Sequence, residues 1–199
     1  MISRPHVWVN KDSTETMLLL HGTGADEHDL IQLGELLSPN SNLLSPRGLV
    51  NENGMNRFFE RTPRGEFVEG SVIQAVEDLE SFIDEAASEY GFGKENLTAC
   101  GFSNGANTAL ALLTTSPKRL KQVIAFGSTK PLKTRIEANL DGKVVFIANG
   151  EVDPYAPVAI TDAFVAELRE AGAHVTLLSH PGGHQISPEH IQQINRELT

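Results

Sequence analysis

Along almost the whole chain, short β-rich runs alternate with runs of helical period, and this alternation restricts the fold more than any other feature. The extended runs are His6 to Asn10, Met17 to His21, Asn42 to Ser45, Leu97 to Phe102, Gln122 to Phe126, Lys143 to Ala148 and Ala173 to Ser179. Helical runs cover Asp29 to Leu37, a long stretch from Ser71, Asn104 to Thr115, Pro157 to Ala171 and Pro188 to Leu198. The stretch from Ser71 is the clearest: Val72, Ile73, Val76, Leu79, Ile83 and Ala86 share one apolar stripe, Ser71 is placed to cap it and Gly91 to stop it. Strands separated by helices of this length need right-handed crossovers, which lay the strands parallel and cover both sheet faces. The expectation is a single α/β domain over residues 1–199 with a mainly parallel central sheet, since no repeat or linker divides the chain. Pro46 to Gly70 holds Gly48, Gly54, Pro63, Gly65 and Gly70 without sustained period, and reads as one long connecting loop of the kind that is usually functional.

Composition narrows the partners. A formal charge of -10 has the wrong sign for gripping phosphate backbones or anionic lipid, so neither nucleic acid nor a membrane surface is expected. The early apolar run Met17 to Leu20 is too short for an export signal or a membrane span. Cys100 is the single cysteine and cannot form an internal disulfide, which makes the cytoplasm the expected compartment.

The chemistry concentrates at strand ends. Gly101-Phe102-Ser103-Asn104-Gly105 fits Gly-x-Ser-x-Gly where an expected strand hands over to an expected helix, the context that exposes a nucleophilic serine on a tight turn. A serine hydroxyl attacks only when a base takes its proton, so a histidine and an orienting carboxylate are required. Asp153 follows the run Lys143 to Ala148 and His184 follows Ala173 to Ser179, giving the order Ser, Asp, His; Glu151 is the rival acid. The oxyanion needs two amide donors, assigned to Asn104 after the nucleophile and to Thr23 in His21-Gly22-Thr23-Gly24. His21 precedes that loop and is read as structural rather than as the base. His180, His184 and His190 do not make a metal site, because the step from His180 to His184 crosses Pro181-Gly182-Gly183 and cannot be helical. Gly22 and Gly24 lack the third glycine of a dinucleotide fingerprint. No metal or cofactor is therefore expected.

Taken in order, Leu20 to Gly24, Ser45-Pro46-Arg47-Gly48, Asn53 to Phe59, Gly101 to Gly105, Gly150 to Pro157 and Gly183-His184 resemble the small serine carboxylesterases and acyl-thioesterases grouped with phospholipase-type α/β-hydrolases. The likeness is strongest to a bacterial subgroup linked to aromatic or quinone stress. It implies the α/β-hydrolase fold and a serine hydrolase that cleaves small carboxylic esters through an acyl-enzyme, with thioesters or lysophospholipids as alternative substrates; a homodimer is common among such proteins. Many relatives carry a tryptophan where Arg57-Phe58-Phe59 stands. These three residues are expected to bound a short acyl or aryl pocket, and the chain is too short for a large lid domain. The non-enzymatic alternative is a small-aromatic binding protein on the same fold, which would have no use for a strained serine.

Overall fold

In the computed structural model, which describes residues 2–198, Leu18 and Leu20 of one strand face one side of a sheet while Met17 and Leu19 face the other. All four side chains are buried, as a strand covered on both faces requires. This strand, β2 (Thr16–Leu20), lies between β3 (Asn42–Pro46) and β6 (Leu97–Phe102), with β1 (His6–Val9) outside β3. Beyond β6 come β7 (Leu120–Phe126), β8 (Val144–Gly150) and β9 (His174–His180), giving the order β1-β3-β2-β6-β7-β8-β9. Among the described residues of this sheet only β1 runs antiparallel to its neighbour. The α/β-hydrolase class read from the sequence is the fold observed, and no lid domain is inserted among the described residues.

Two separate cores explain the layers. Helices α2 (Glu69–Tyr90), α3 (Asn104–Thr115) and α4 (Val158–Glu170) bury apolar stripes with Leu18, Leu20, Val123 and Ile147 on one face. On the other, α1 (Ile31–Leu37) and α5 (Pro188–Leu198) cover Met17, Leu19, Cys100, Ile124 and Phe146. Helix α3 is buried on nearly every side, which its small residues Ala106, Ala109 and Ala111 permit. Gly91 ends α2 in the left-handed region at φ 75° and donates its N–H to Ala87, as its position suggested.

The stretch 46–70 is more ordered than its sequence suggests. It contains a hairpin of β4 (Val50–Glu52) and β5 (Met55–Arg57), closed by Asn53 and Gly54 at φ 53° and 85°. Positive φ at both turn residues is the two-residue turn that Asn-Gly favours, a signal the loop reading passes over. Ser71 is not the cap of α2 either. The helix starts at Glu69, and the Ser71 hydroxyl accepts the Glu60 N–H at 2.9 Å, tying the loop to the helix instead.

Candidate active site

Ser103 sits between the last residue of β6 and the first of α3 with φ 53° and ψ -114°. A non-glycine residue in that region costs roughly 1–3 kcal/mol and persists only when its surroundings hold it. They do so here. Its N–H donates to Phe126 O at 2.9 Å, and its carbonyl accepts Asn107 Nδ2 at 2.9 Å. A Cβ on Gly101 would stand 2.6 Å from the Ala106 amide nitrogen, and one on Gly105 would collide with the Leu20 carbonyl. The two glycines of the motif thus let helix and strand pass at the distance the turn demands.

His184 and Asp153 come together although 31 positions separate them: imidazole Nδ1 lies 2.7 Å from Asp153 Oδ2. The second carboxylate oxygen accepts the Tyr155 N–H at 2.8 Å, and the Asp153 side chain is fully buried. With Oδ2 as acceptor, Nδ1 carries a proton and Nε2 is left free to act as a base. Glu151 stands outside this arrangement; it is exposed and accepts only a long bond from Ser179 Oγ at 3.4 Å. Three further residues seat the imidazole. Phe102 and Tyr155 each pack a ring at 4.9 Å between centroids, and Gly127, at φ 61°, leaves the space against which His184 Cε1 rests. Because Ser103 is bonded to Phe126 and His184 abuts Gly127, serine and imidazole converge on the same end of β7. Gly127 at a strand end and Tyr155 two residues after Asp153 were the available hints for these neighbours.

The loop after β2 is held from both sides. Gly24 N–H donates to Asn56 O at 2.9 Å, and Asn56 Nδ2 donates to Ala25 O at 3.0 Å. The amides of Thr23 and Asn104 carry no hydrogen bond among the described residues, which leaves both donors available. His21 is buried, accepts the Gly48 N–H at Nε2 (3.0 Å) and bonds the Gly22 carbonyl through Nδ1 (2.7 Å). Those two bonds fix one neutral tautomer, and burial pushes its pKa below the ordinary range. The ring thus ties two loops together. Asn104 also works through its side chain, accepting the Phe58 N–H at 2.7 Å and donating to Phe59 O at 3.3 Å.

That clamp corrects the expected pocket. Phe58 and Phe59 are only 3% and 0% exposed: Phe58 packs on His21 beneath Arg4, and Phe59 packs edge-on against Phe67 in the core. With their backbone pinned at Asn104, both rings turn inward and neither walls an open pocket. Arg57 also remains close to the protein, with Nε 3.0 Å from Glu52 Oε2. Beyond Tyr155, whose ring packs on His184, lies a cavity of about 590 Å³ lined by Arg61, Phe67, Leu132, Tyr155 and Ile160. A larger cavity of about 700 Å³ is lined by Thr114, Arg135 and Phe164, and neither cavity has Ser103, Asp153 or His184 in its lining. Among the described residues no group of three or more His, Cys, Asp or Glu is arranged to hold a metal, and no helix is long and apolar enough to cross a membrane.

The phospholipase/carboxylesterase family model matches residues 7–199. MhqD of Bacillus subtilis (strain 168) is 37% identical over 188 residues, 94% of either chain. A carboxylesterase of Bacillus cereus superposes with a TM-score of 0.94 at 38% identity, covering 98% of this chain and 93% of that one. A carboxylesterase of Mesorhizobium loti gives a TM-score of 0.90 at 27% identity, over 99% and 95% of the two chains. With the strand order, the turn at Ser103 and these likenesses in agreement, the chain belongs to the phospholipase/carboxylesterase family of α/β-hydrolases and is a hydrolase of the carboxylesterase type.

Proposed function

We propose that the protein cleaves small carboxylic esters through an acyl-enzyme, with Ser103 as nucleophile, His184 as base and Asp153 as the carboxylate that orients it. The observation that carries this reading is the His184–Asp153 bond of 2.7 Å at the strand end where the strained Ser103 also sits. Ser103 Oγ attacks the ester carbonyl carbon as its proton passes to His184 Nε2, and the imidazolium formed is stabilised by the buried carboxylate. The carbonyl oxygen becomes an oxyanion held by the amides of Thr23 and Asn104. Collapse breaks the bond to the alkoxy oxygen, which takes the proton from His184 and leaves as an alcohol or phenol. Water then repeats the sequence in reverse and releases the acid.

The absence of a lid domain among the described residues and the open cavity favour short acyl or aryl groups over long lipid chains. The test is active-site labelling with a fluorophosphonate together with hydrolysis of short p-nitrophenyl, thioester and lysophospholipid substrates, in wild type and Ser103→Ala. Labelling and short-ester turnover that both vanish in Ser103→Ala are expected, because the covalent route is gone. Labelling absent from the wild type would favour a binding protein, and a clear preference for thioesters or lysophospholipids would reassign the substrate.

A further inference from the structure

The cavity bordered by Tyr155 contains a cation without a counter-ion. Arg61 lies with its guanidinium carbon 5.2 Å from the Phe67 ring centroid and 5.5 Å from that of Tyr155. Its Nε is buried without a hydrogen-bond partner, and no carboxylate lies within ion-pair distance of it among the described residues. Contact with two rings engages the guanidinium but leaves its buried Nε–H without an acceptor. Burial first, and then the neighbouring Arg57, push its pKa below the ordinary value, while Tyr155 and Glu52 act weakly the other way. Glu66, on the same rim, is exposed and makes no ion pair with Arg61 among the described residues, and the other nearby acidic groups are already engaged. Glu52 pairs with Arg57, Glu69 accepts the Lys133 N–H at 2.6 Å, and Glu167 holds Lys130 at 2.6 Å.

Arg61 is also close to the chemistry. Tyr155 links it to the base, with ring centroids of Tyr155 and His184 4.9 Å apart, so the guanidinium lies within about 10 Å of the imidazole. A small ester bound at Ser103 would reach it through a short spacer. The rim adds Arg64, Lys130 and Lys133 against Glu66 and Glu69, a local excess of positive charge in a chain whose net charge is -10. An acidic protein gains nothing in solubility from a half-buried arginine with no carboxylate partner. A desolvated guanidinium gains most by meeting a carboxylate, whose two oxygens match its fork of donors.

We propose that Arg61 is a substrate-selecting residue, and that the preferred substrates are esters carrying a second, free carboxylate, such as the half-esters of short dicarboxylic acids. This rests on the Ser103 hydrolase reading and adds the substrate class. The Tyr155 and Phe67 rings clasp the guanidinium from its faces, its edge receives the carboxylate, and the scissile carbonyl lies toward Ser103.

The experiment compares monoethyl glutarate with ethyl 5-methylhexanoate, in which an isopropyl group replaces the carboxylate at nearly the same shape. In the wild type kcat/KM should favour the charged ester by about 10- to 100-fold at low salt, the scale of one charge-assisted hydrogen-bonded pair, and the preference should shrink as salt is added. Arg61→Gln should reduce the charged-to-neutral ratio at least 10-fold, and Arg61→Lys should restore part of it, since the charge returns without the fork. A wild-type ratio at or below one overturns the proposal. So does an Arg61→Gln variant that lowers both esters equally, because Arg61 would then be only a prop for Tyr155. If neither ester is hydrolysed, the hydrolase reading fails separately, and glutarate binding by titration calorimetry decides the subsite. Binding to wild type that is lost in Arg61→Gln supports it, and no binding overturns it.

Discussion

Gly127→Ala isolates the seat of the imidazole from every group that takes part in bond making. A Cβ at this position would lie 2.8 Å from His184 Cε1, 3.0 Å from Nδ1 and 3.2 Å from Phe102 Cε2. Carbon atoms pack at about 3.5–4.0 Å, so the ring must yield by roughly 0.7 Å or more. It has little freedom to do so, being bonded to Asp153 at 2.7 Å and flanked by Phe102 and Tyr155. The displacement therefore tilts Nε2 away from Ser103. Misplacement of about 1 Å can cost around 100-fold in rate, which puts the expected loss in kcat at about 10- to 100-fold with KM little changed. The φ of 61° adds a backbone penalty of about 1–2 kcal/mol for any side chain. Gly142→Ala separates the two effects, because Gly142 has φ 75° and nothing within 4 Å of its would-be Cβ. Both variants should lose similar stability in urea denaturation, while only Gly127→Ala loses turnover of p-nitrophenyl acetate. A Gly127→Ala enzyme with kcat within about two-fold of wild type would refute the reasoning, as would an equal loss in Gly142→Ala.

The carboxylates flanking Val152 should separate cleanly. Asp153→Asn should lower kcat by about three to four orders of magnitude, since an amide facing Nδ1 favours the wrong tautomer, whereas Glu151→Gln should stay within a few-fold; steady-state kinetics with the opposite ranking would move the acid to Glu151. His21 makes a prediction about pH. Its folded pKa is lowered by burial, so the unfolded chain binds the proton more readily. The stability it supports is full above about pH 6.5 and falls as pH drops toward the folded value, by up to about 1.4 kcal/mol per pH unit. Urea unfolding at pH 7.5 and 5.5 should show a smaller pH-dependent loss in His21→Asn than in wild type, even though the variant is less stable overall; equal losses would remove His21 from the account.

Order along the chain made the fold legible. The runs Leu97 to Phe102 and Asn104 to Thr115 predict β6 and α3 with the observed bounds, because continuous apolar runs and a glycine-flanked serine are local signals. Strand ends in a parallel sheet collect at one edge, so Ser103, Asp153 and His184 could be named from their places after β6, β8 and β9. The direction in which side chains turn within 46–70 was not local. Phe58 and Phe59 read equally well as pocket wall or as core, and the decision came from Asn104, 46 and 45 positions away, which pins their backbone. Tertiary packing likewise set Asp153 rather than Glu151 against His184, placed Gly127, Phe102 and Tyr155 around the imidazole, and left Arg61 beside two rings without a carboxylate. Periodicity records which residues share a face of one element. What meets that face, and which charges find partners there, depends on chain segments that only the folded sheet brings together.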